Sequence, residues 1–126
     1  MRVMVIVKAS KESEAGQMPD QQILTDMGKY NEQLVNAGVM QAGEGLHPSS
    51  KGKRVKFSGG GRAVIDGPFS ESKQLVAGYW ILQMPSMDEA VQWAERFPFE
   101  AWSRIYPGEY GAEVEIEIRQ VFEPES

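Results

Sequence analysis

The chain has 126 residues, of which 41% are hydrophobic and 25% are charged, and its formal net charge at pH 7 is −5. These values are typical of one globular domain, expected here over residues 1–126, and the acidic balance argues against nucleic-acid binding, which needs a basic face. Without cysteine, and with a single histidine, the chain can form no disulfide, thiolate zinc site or intrachain pair of histidine ligands. We expect no metal and no other cofactor.

Residues 2–8 are apolar and β-branched, which predicts an N-terminal strand. The apolar run is too short for a signal peptide or a transmembrane helix. We therefore expect a cytoplasmic protein that does not enter a membrane.

A polar loop over 9–18 is expected to lead into a helix over 19–37. Pro19 suits the first position of a helix, and Gly38 suits the position just after its end. Residues 39–46 predict a second strand, although two glycines weaken it. The helix is indicated by apolar residues at helical spacing: Ile23, Leu24, Met27, Tyr30 and Leu34.

The segments 52–58 and 61–65 flank Gly59 and Gly60, which predicts a β-hairpin. This hairpin carries a cluster of basic residues, which we interpret as a solvated strand face rather than a nucleic-acid site. The cluster consists of Lys51, Lys53, Arg54 and Lys56. The apolar run over 74–84 is the strongest strand signal in the chain.

Ser86 and Glu89 form a capping box, which predicts the start of a second helix that ends at Pro98. Residues 99–112 are expected to be an aromatic-rich connection. The alternation of isoleucine or valine with glutamate over 113–121 predicts the last strand.

This order of elements predicts an α+β fold, namely a ferredoxin-like βαββαβ unit with an inserted β-hairpin. In that fold both helices cover one face of the sheet. The strands over 2–8 and 74–84 are apolar on both faces, whereas a sheet with one wet face should alternate. Because no third helix is predicted, we expect a second copy of the chain to cover the other face, giving a homodimer.

Five segments carry a family likeness: GEGL at 43–46, DGPFSESK at 66–73, AGYW at 77–80, SMDEAVQWA at 86–94 and EIEIRQV at 115–121. In this order they resemble the YCII-related domain family and, more narrowly, its DGPF branch. The resemblance implies a dimeric α+β barrel, in which two ferredoxin-like sheets pack face to face. Its wider superfamily includes small-molecule isomerases, cofactor-free monooxygenases and haem enzymes.

The chain departs from this pattern in places. Compact relatives are thought to use a histidine on the first helix together with an aspartate, but residues 19–37 contain no histidine. That pair is therefore not carried over to this chain. Gln74 and Gln120 stand where the branch usually has glutamate and proline.

Asp66 opens the DGPFSESK motif and has two interpretations. Its carboxylate either fixes the turn or points at a ligand, because Pro68 offers no N–H to the usual local hydrogen bond. Phe69 is expected to anchor the loop to the core. Glu71 and Lys73 share a face on an extended backbone, where they form either a solvated ion pair or part of a site for an anionic substrate.

His47 is the other candidate for acid–base chemistry, because imidazole side chains titrate near neutral pH. The alternatives are a haem ligand, as the resemblance to some barrel relatives implies, and a loop histidine without a function, which we favour. Tyr79, in AGYW, and Arg104, in the aromatic connection, are expected to contact a ligand together with Glu71. The first hypothesis is a cofactor-independent enzyme acting on a small anionic or carbonyl compound, with Asp66 as the base and Lys73 as its electrostatic partner. The alternatives are a non-catalytic ligand-binding or regulatory partner protein and an assembly module.

Overall fold

The computed structural model describes residues 1–16, 21–70, 75–105 and 114–124; the side chains of residues 11, 12 and 103–105 lie outside that description. A short 3₁₀ turn, Ser49–Lys51, precedes the hairpin. The helices and strands are β1 (Arg2–Lys8), α1 (Lys11–Glu14), α2 (Gln21–Asn36), β2 (Met40–Gly45), β3 (Lys53–Ser58), β4 (Gly61–Asp66), β5 (Val76–Gln83), α3 (Met87–Glu95), α4 (Phe99–Ile105) and β6 (Ile116–Gln120).

Four strands form an antiparallel sheet in the order β2-β5-β1-β6, and β3 pairs with β4 in a separate two-stranded ribbon. The order places the two most apolar strands, β1 and β5, side by side at the centre, with Val5 opposite Trp80. This is the ferredoxin-like α+β arrangement with an inserted hairpin, so the predicted fold class is confirmed.

The core lies between the helices and one face of the sheet. Every second residue of β1 points into it, and Val3, Val5 and Val7 are buried. β5 contributes Trp80 and Leu82 by the same alternation, because successive strand residues point to opposite faces. The other buried members of this cluster are Tyr30, Leu34, Met84, Ala90 and Phe97.

The opposite face of the sheet, called here the open face, is apolar at its centre. Met4 and Ile6 on β1 stand opposite Ile81 and Tyr79 on β5, and all four are half-buried. None of the four belongs to a core cluster of the described residues, and the helices described pack on the other side. The two-faced apolarity predicted from the sequence is therefore present in the folded chain.

Local signals explain where the helices begin and end. Gly38 has a φ of +72° and its N–H donates to the carbonyl of Val35 at 2.9 Å, which ends α2. The Ser86 side chain accepts a hydrogen bond from the N–H of Glu89 at 3.2 Å, as the capping box predicts. No helix in the described ranges is both long and apolar enough to cross a membrane.

Two helices form where the sequence predicted loops. α1 forms because the side chains of Ser10 and Ser13 each accept the other's backbone N–H, at 3.1 and 2.9 Å. α4 begins next to Pro98, whose carbonyl accepts the N–H of Trp102 at 3.4 Å. The proline thus ends one helix and suits the start of the next, because its missing N–H costs nothing in a first turn.

The β3–β4 hairpin, residues 53–66, is called here the arm. Gly59 and Gly60 both have positive φ, +55° and +81°, which is the conformation that a two-residue hairpin turn requires. Every residue of the two strands is exposed to solvent. The predicted hairpin is confirmed, and within the described residues it stands apart from the core.

Candidate ligand-binding site

A cavity of about 500 Å³ lies between the helical layer and the sheet. Its walls come from α2, α4, the end of β2 and the first half of β5. The apolar and aromatic part of the lining consists of Ile23, Leu24, Met27, Trp80, Phe97 and Trp102.

The floor of the cavity consists of glycines on the helix-facing side of β2 and β5. Gly45 stands directly opposite Gly78, and Gly43 stands opposite Trp80. Gly45 lines the cavity, and a Cβ atom there would meet nothing within 4 Å. At Gly78 a Cβ would lie 3.0 Å from the carbonyl oxygen of Glu44. The three glycines therefore differ: open space lies beside Gly45, whereas neighbouring atoms closely approach Gly43 and Gly78.

The indole of Trp80 forms one wall and is held on several sides. Its Nε1–H donates to Oδ1 of Asn31 at 2.8 Å. The ring packs edge-on against Tyr30, at a centroid distance of 5.4 Å, and against Phe97 at 6.3 Å. Phe97 in turn contacts Trp102 at 5.8 Å. Such contacts fix ring orientation, so the aromatic wall is preformed.

Tyr30 supports this wall from the core side. Its hydroxyl donates to the backbone carbonyl of Trp93 at 2.7 Å. Burial raises the pKa of Tyr30 to about 12, because the phenolate is poorly solvated there, and the positive charge of Arg96 only partly offsets this. Tyr30 is therefore a neutral structural group at physiological pH.

His47 lies at the mouth of the cavity, just after β2, and is exposed. It also borders a second concavity of about 490 Å³, together with Leu46 and Pro48. The second concavity is more polar, because Lys51, Lys53 and Arg54 contribute to its rim. Of the two residues predicted as catalytic that the structure describes, His47 and Asp66, His47 is the one that borders a cavity.

Tyr79 borders the cavity too, but strand alternation places its side chain on the open face, opposite Ile6. Arg104 belongs to α4, and its side chain lies outside the described part of the chain. Glu71 and Lys73 also lie outside the described residues. Their predicted roles stay predictions.

Asp66 ends β4 and stands directly opposite Lys53 on β3. The two side chains form an ion pair, and they are 74% and 67% exposed. The carboxylate does not contribute to the lining of the cavity or of the second concavity. The acid–base role of Asp66 stays a prediction, for a side chain that lies on the arm and not in a cavity.

The turn after Asp66 is pinned to the 3₁₀ turn. A Cβ atom at Gly67 would lie 1.7 Å from the carbonyl oxygen of Ser49, so only glycine permits this approach. The Ser49 hydroxyl accepts the N–H of Phe69 at 3.0 Å and donates to the carboxylate of Glu14, which also accepts the Ser49 N–H at 3.0 Å. These bonds fix the base of the arm.

Phe69 is half-buried, and its ring lies 3.9 Å below the guanidinium carbon of Arg54. It belongs to neither core cluster of the described residues, so the expectation that it anchors the loop to the core is wrong. Arginine stacks well on aromatic faces, and the ring packs at the base of the arm instead.

The structure thus separates two groups of predicted residues. His47 and Tyr79 border the cavity, whereas Asp66 belongs to the arm. Sequence reasoning missed Asn31, Trp80 and the glycine floor. The glycines of GEGL were visible but were interpreted as weakening a strand. In the described part of the chain, no group of three or more histidine, aspartate or glutamate side chains could hold a metal ion.

Fold and site together define a ferredoxin-like α+β protein with a preformed apolar cavity between its helices and its sheet. The family model of the YCII-related domain matches residues 1–106, and the chain belongs to this family. An uncharacterised protein of Rhizobium meliloti (strain 1021) is 29% identical over 75 residues. That alignment covers 60% of this chain and 60% of the length of the curated relative.

Among solved structures, the chain is similar to the 5-chloro-2-hydroxyhydroquinone dehydrochlorinase of Burkholderia phenoliruptrix AC1100, in a complex with 2,5-dihydroxybenzoquinone. The identity is 17% and the TM-score is 0.47. The superposition covers 93% of this chain and 91% of the other.

Proposed function

We propose that the chain binds a small, largely apolar organic compound in the cavity, with His47 at its mouth as the acid–base group. The observation that carries this proposal is the cavity itself. Its volume of about 500 Å³ falls within the range of small-molecule sites, which are typically apolar with a few polar groups. Because rigid aromatic rings line it, little conformational freedom is lost on binding.

The polar groups at this site limit the class of ligand. The amide oxygen of Asn31 is already bonded to Trp80, so the exposed imidazole of His47 is the group best placed to exchange a proton with a ligand. A planar compound with a carbonyl or an acidic hydroxyl at one end would place its apolar body against the rings and its polar end at the mouth. Acid–base catalysis on such a carbonyl or anionic compound is the function proposed.

The alternative is binding without catalysis, in which the same cavity serves a ligand-binding or regulatory protein. The exposure of His47 favours this alternative, because a catalytic histidine is usually oriented by a second group. One variant distinguishes catalysis from binding alone. His47→Gln should keep ligand affinity in both cases, and only an enzyme would lose turnover of the bound compound.

We also infer that the chain is a cytoplasmic homodimer of the DGPF branch. The half-buried apolar centre of the open face supports self-association, since isolated chains rarely expose contiguous apolar patches. The DGPF tetrapeptide at 66–69 supports the branch, and the absence of cysteine is compatible with a reducing compartment.

Substitution at Gly45 tests the cavity directly. Gly45→Leu should fill the cavity, because its side chain would start from a position with open space around it. Gly45→Ala is the matched control, since a single methyl group leaves most of the volume free. The probes are phenol, benzoate and cyclohexanone at millimolar concentration, observed by saturation-transfer NMR and by the fluorescence of the tryptophans.

We expect at least one probe to bind the natural chain and the Gly45→Ala variant, and to bind Gly45→Leu at least about tenfold more weakly. Equal binding by Gly45→Leu would show that the site is elsewhere. Loss of binding in Asp66→Asn, with Gly45→Leu unaffected, would move the site to the base of the arm. No binding of any probe would count against a small-molecule site.

A further inference from the structure

The arm has one distinctly apolar face. Val55 and Val64 stand directly opposite each other across the ribbon, and Phe57 follows on the same side. Their exposed fractions are 53%, 66% and 69%. A two-stranded ribbon with nothing packed on it is only marginally stable in water. An apolar face of this kind on a protruding ribbon therefore needs a partner surface.

The arm is also basic, whereas the rest of the chain is acidic. Residues 53–66 contain four basic side chains and one acidic one, a net charge of +3, so the remainder of the chain carries −8. The basic side chains are Lys53, Arg54, Lys56 and Arg62. A second copy of the chain thus offers the arm a surface of opposite charge, which favours association and orients it.

The open face of a second copy fits the arm in both respects. Its centre is apolar, with Met4, Ile6 and Ile81 half-buried. Its β2 edge is acidic, because Glu44 is exposed opposite Tyr79. Its β6 side is balanced, since Glu117 pairs with Lys8 and Arg119 there. The β2 edge of the open face is thus apolar with an acidic side chain, and it complements an arm that is apolar with basic side chains.

Given the homodimer inferred above, we propose that the arm docks, through Val55, Phe57 and Val64, onto the β2 edge of the open face in a second copy of this chain. Each subunit then grasps the other, in addition to any contact between the two sheets. An anionic membrane is the competing partner for a basic apolar ribbon, but the net charge of −5 of the whole chain opposes such binding.

The test compares the same chemical change at two similarly exposed valines. Val64→Thr, alone and combined with Phe57→Thr, removes apolar surface from the arm while keeping residues that favour strands. Val35→Thr is the matched control, because Val35 is 60% exposed on α2, an element outside the arm. Association is measured by sedimentation velocity over a range of protein concentrations, at low and high salt.

The double arm variant should dissociate at least about tenfold more readily than the natural chain, whereas Val35→Thr should not differ from it. The natural dimer should also weaken as salt rises, because charged surfaces are screened. Hydrogen exchange gives a second readout that does not depend on the variants. The amides of β3 and β4 should be more protected above the dissociation constant than below it.

Three results would overturn the proposal. The first is a natural chain that stays monomeric at every concentration. The second is a dimer that Ile81→Lys disrupts but the arm variant does not, which would leave the sheets as the whole interface and the ligand proposal intact. The third is binding of the arm to vesicles of mixed phosphatidylglycerol and phosphatidylcholine, lost in the double variant, without a change in self-association.

Discussion

A methyl group added at Gly43 would lie 2.6 Å from Cδ1 of Trp80 and 2.7 Å from Cε of Met40. Met40 ends in a flexible thioether and can move aside. The indole can move only at a cost, because Asn31 holds its nitrogen and two aromatic rings pack against it. Gly43→Ala should therefore push the indole, or β2, by about 0.8 Å to restore an ordinary contact of 3.4 Å.

The cost follows from these contacts. Overpacking a well-filled core typically costs about 1–3 kcal/mol. Loss of the hydrogen bond between Trp80 and Asn31 would add about 0.5–1.5 kcal/mol. We expect Gly43→Ala to lower the free energy of unfolding by about 2–4 kcal/mol, which for a domain of this size lowers the midpoint temperature by about 8–15 °C.

Urea unfolding, followed by circular dichroism, measures the change, and the near-ultraviolet signal reports whether the indole has lost its fixed orientation. Gly45→Ala is the control, because it lies on the same strand and face with nothing within 4 Å, and it should be neutral or stabilising by up to about 1 kcal/mol. Trp80→Phe should make the Gly43→Ala change nearly neutral, since the smaller ring removes the clash. If Gly43→Ala leaves both stability and the tryptophan signal unchanged, the indole is not clamped as described.

Two further outcomes are expected. The raised pKa of Tyr30, about 12 against an ordinary 10, means that the folded state holds the phenolic proton more tightly than the unfolded chain. The resulting stability is complete below pH 10 and is lost as pH rises from 10 to 12, by up to about 2–3 kcal/mol. In urea titrations, Tyr30→Phe should abolish this alkaline loss of stability. An equal loss in both proteins would contradict its assignment to Tyr30. Asp66→Asn should change stability by less than about 1 kcal/mol, because the ion pair with Lys53 is exposed. A loss of about 1–3 kcal/mol would instead show that the carboxylate fixes the turn.

The sequence by itself determined most of the local structure. The β-branched run of β1, the capping box at Ser86, the cap at Gly38 and the Gly59–Gly60 turn were all predicted, because each depends on residues that are neighbours along the chain. The apolar character of both sheet faces was also predictable from the sequence, because the order of residues in a strand decides which face each side chain points to. These signals were enough to predict the ferredoxin-like fold and the inserted hairpin.

The candidate site depended on contacts between distant segments. The motif around Asp66 looked like a site, yet the register of β3 and β4 pairs its carboxylate with Lys53 on an exposed ribbon. The two-residue turn at Gly59–Gly60 implies this register, but only the tertiary structure shows that the ribbon is exposed and that Asp66 lies away from the cavity. His47 was one candidate among several, and only its place beside the cavity distinguishes it from Asp66.

Tertiary structure alone created the cavity. Gly45 and Gly78 are far apart in sequence, and only the pairing of β2 with β5 places them opposite each other in the lining of the cavity. Within a single strand, a glycine weakens the strand because glycine has no side chain to pack. In the folded chain the missing side chain of Gly45 leaves open space at the cavity, which the ring of Trp80, held by Asn31, also lines.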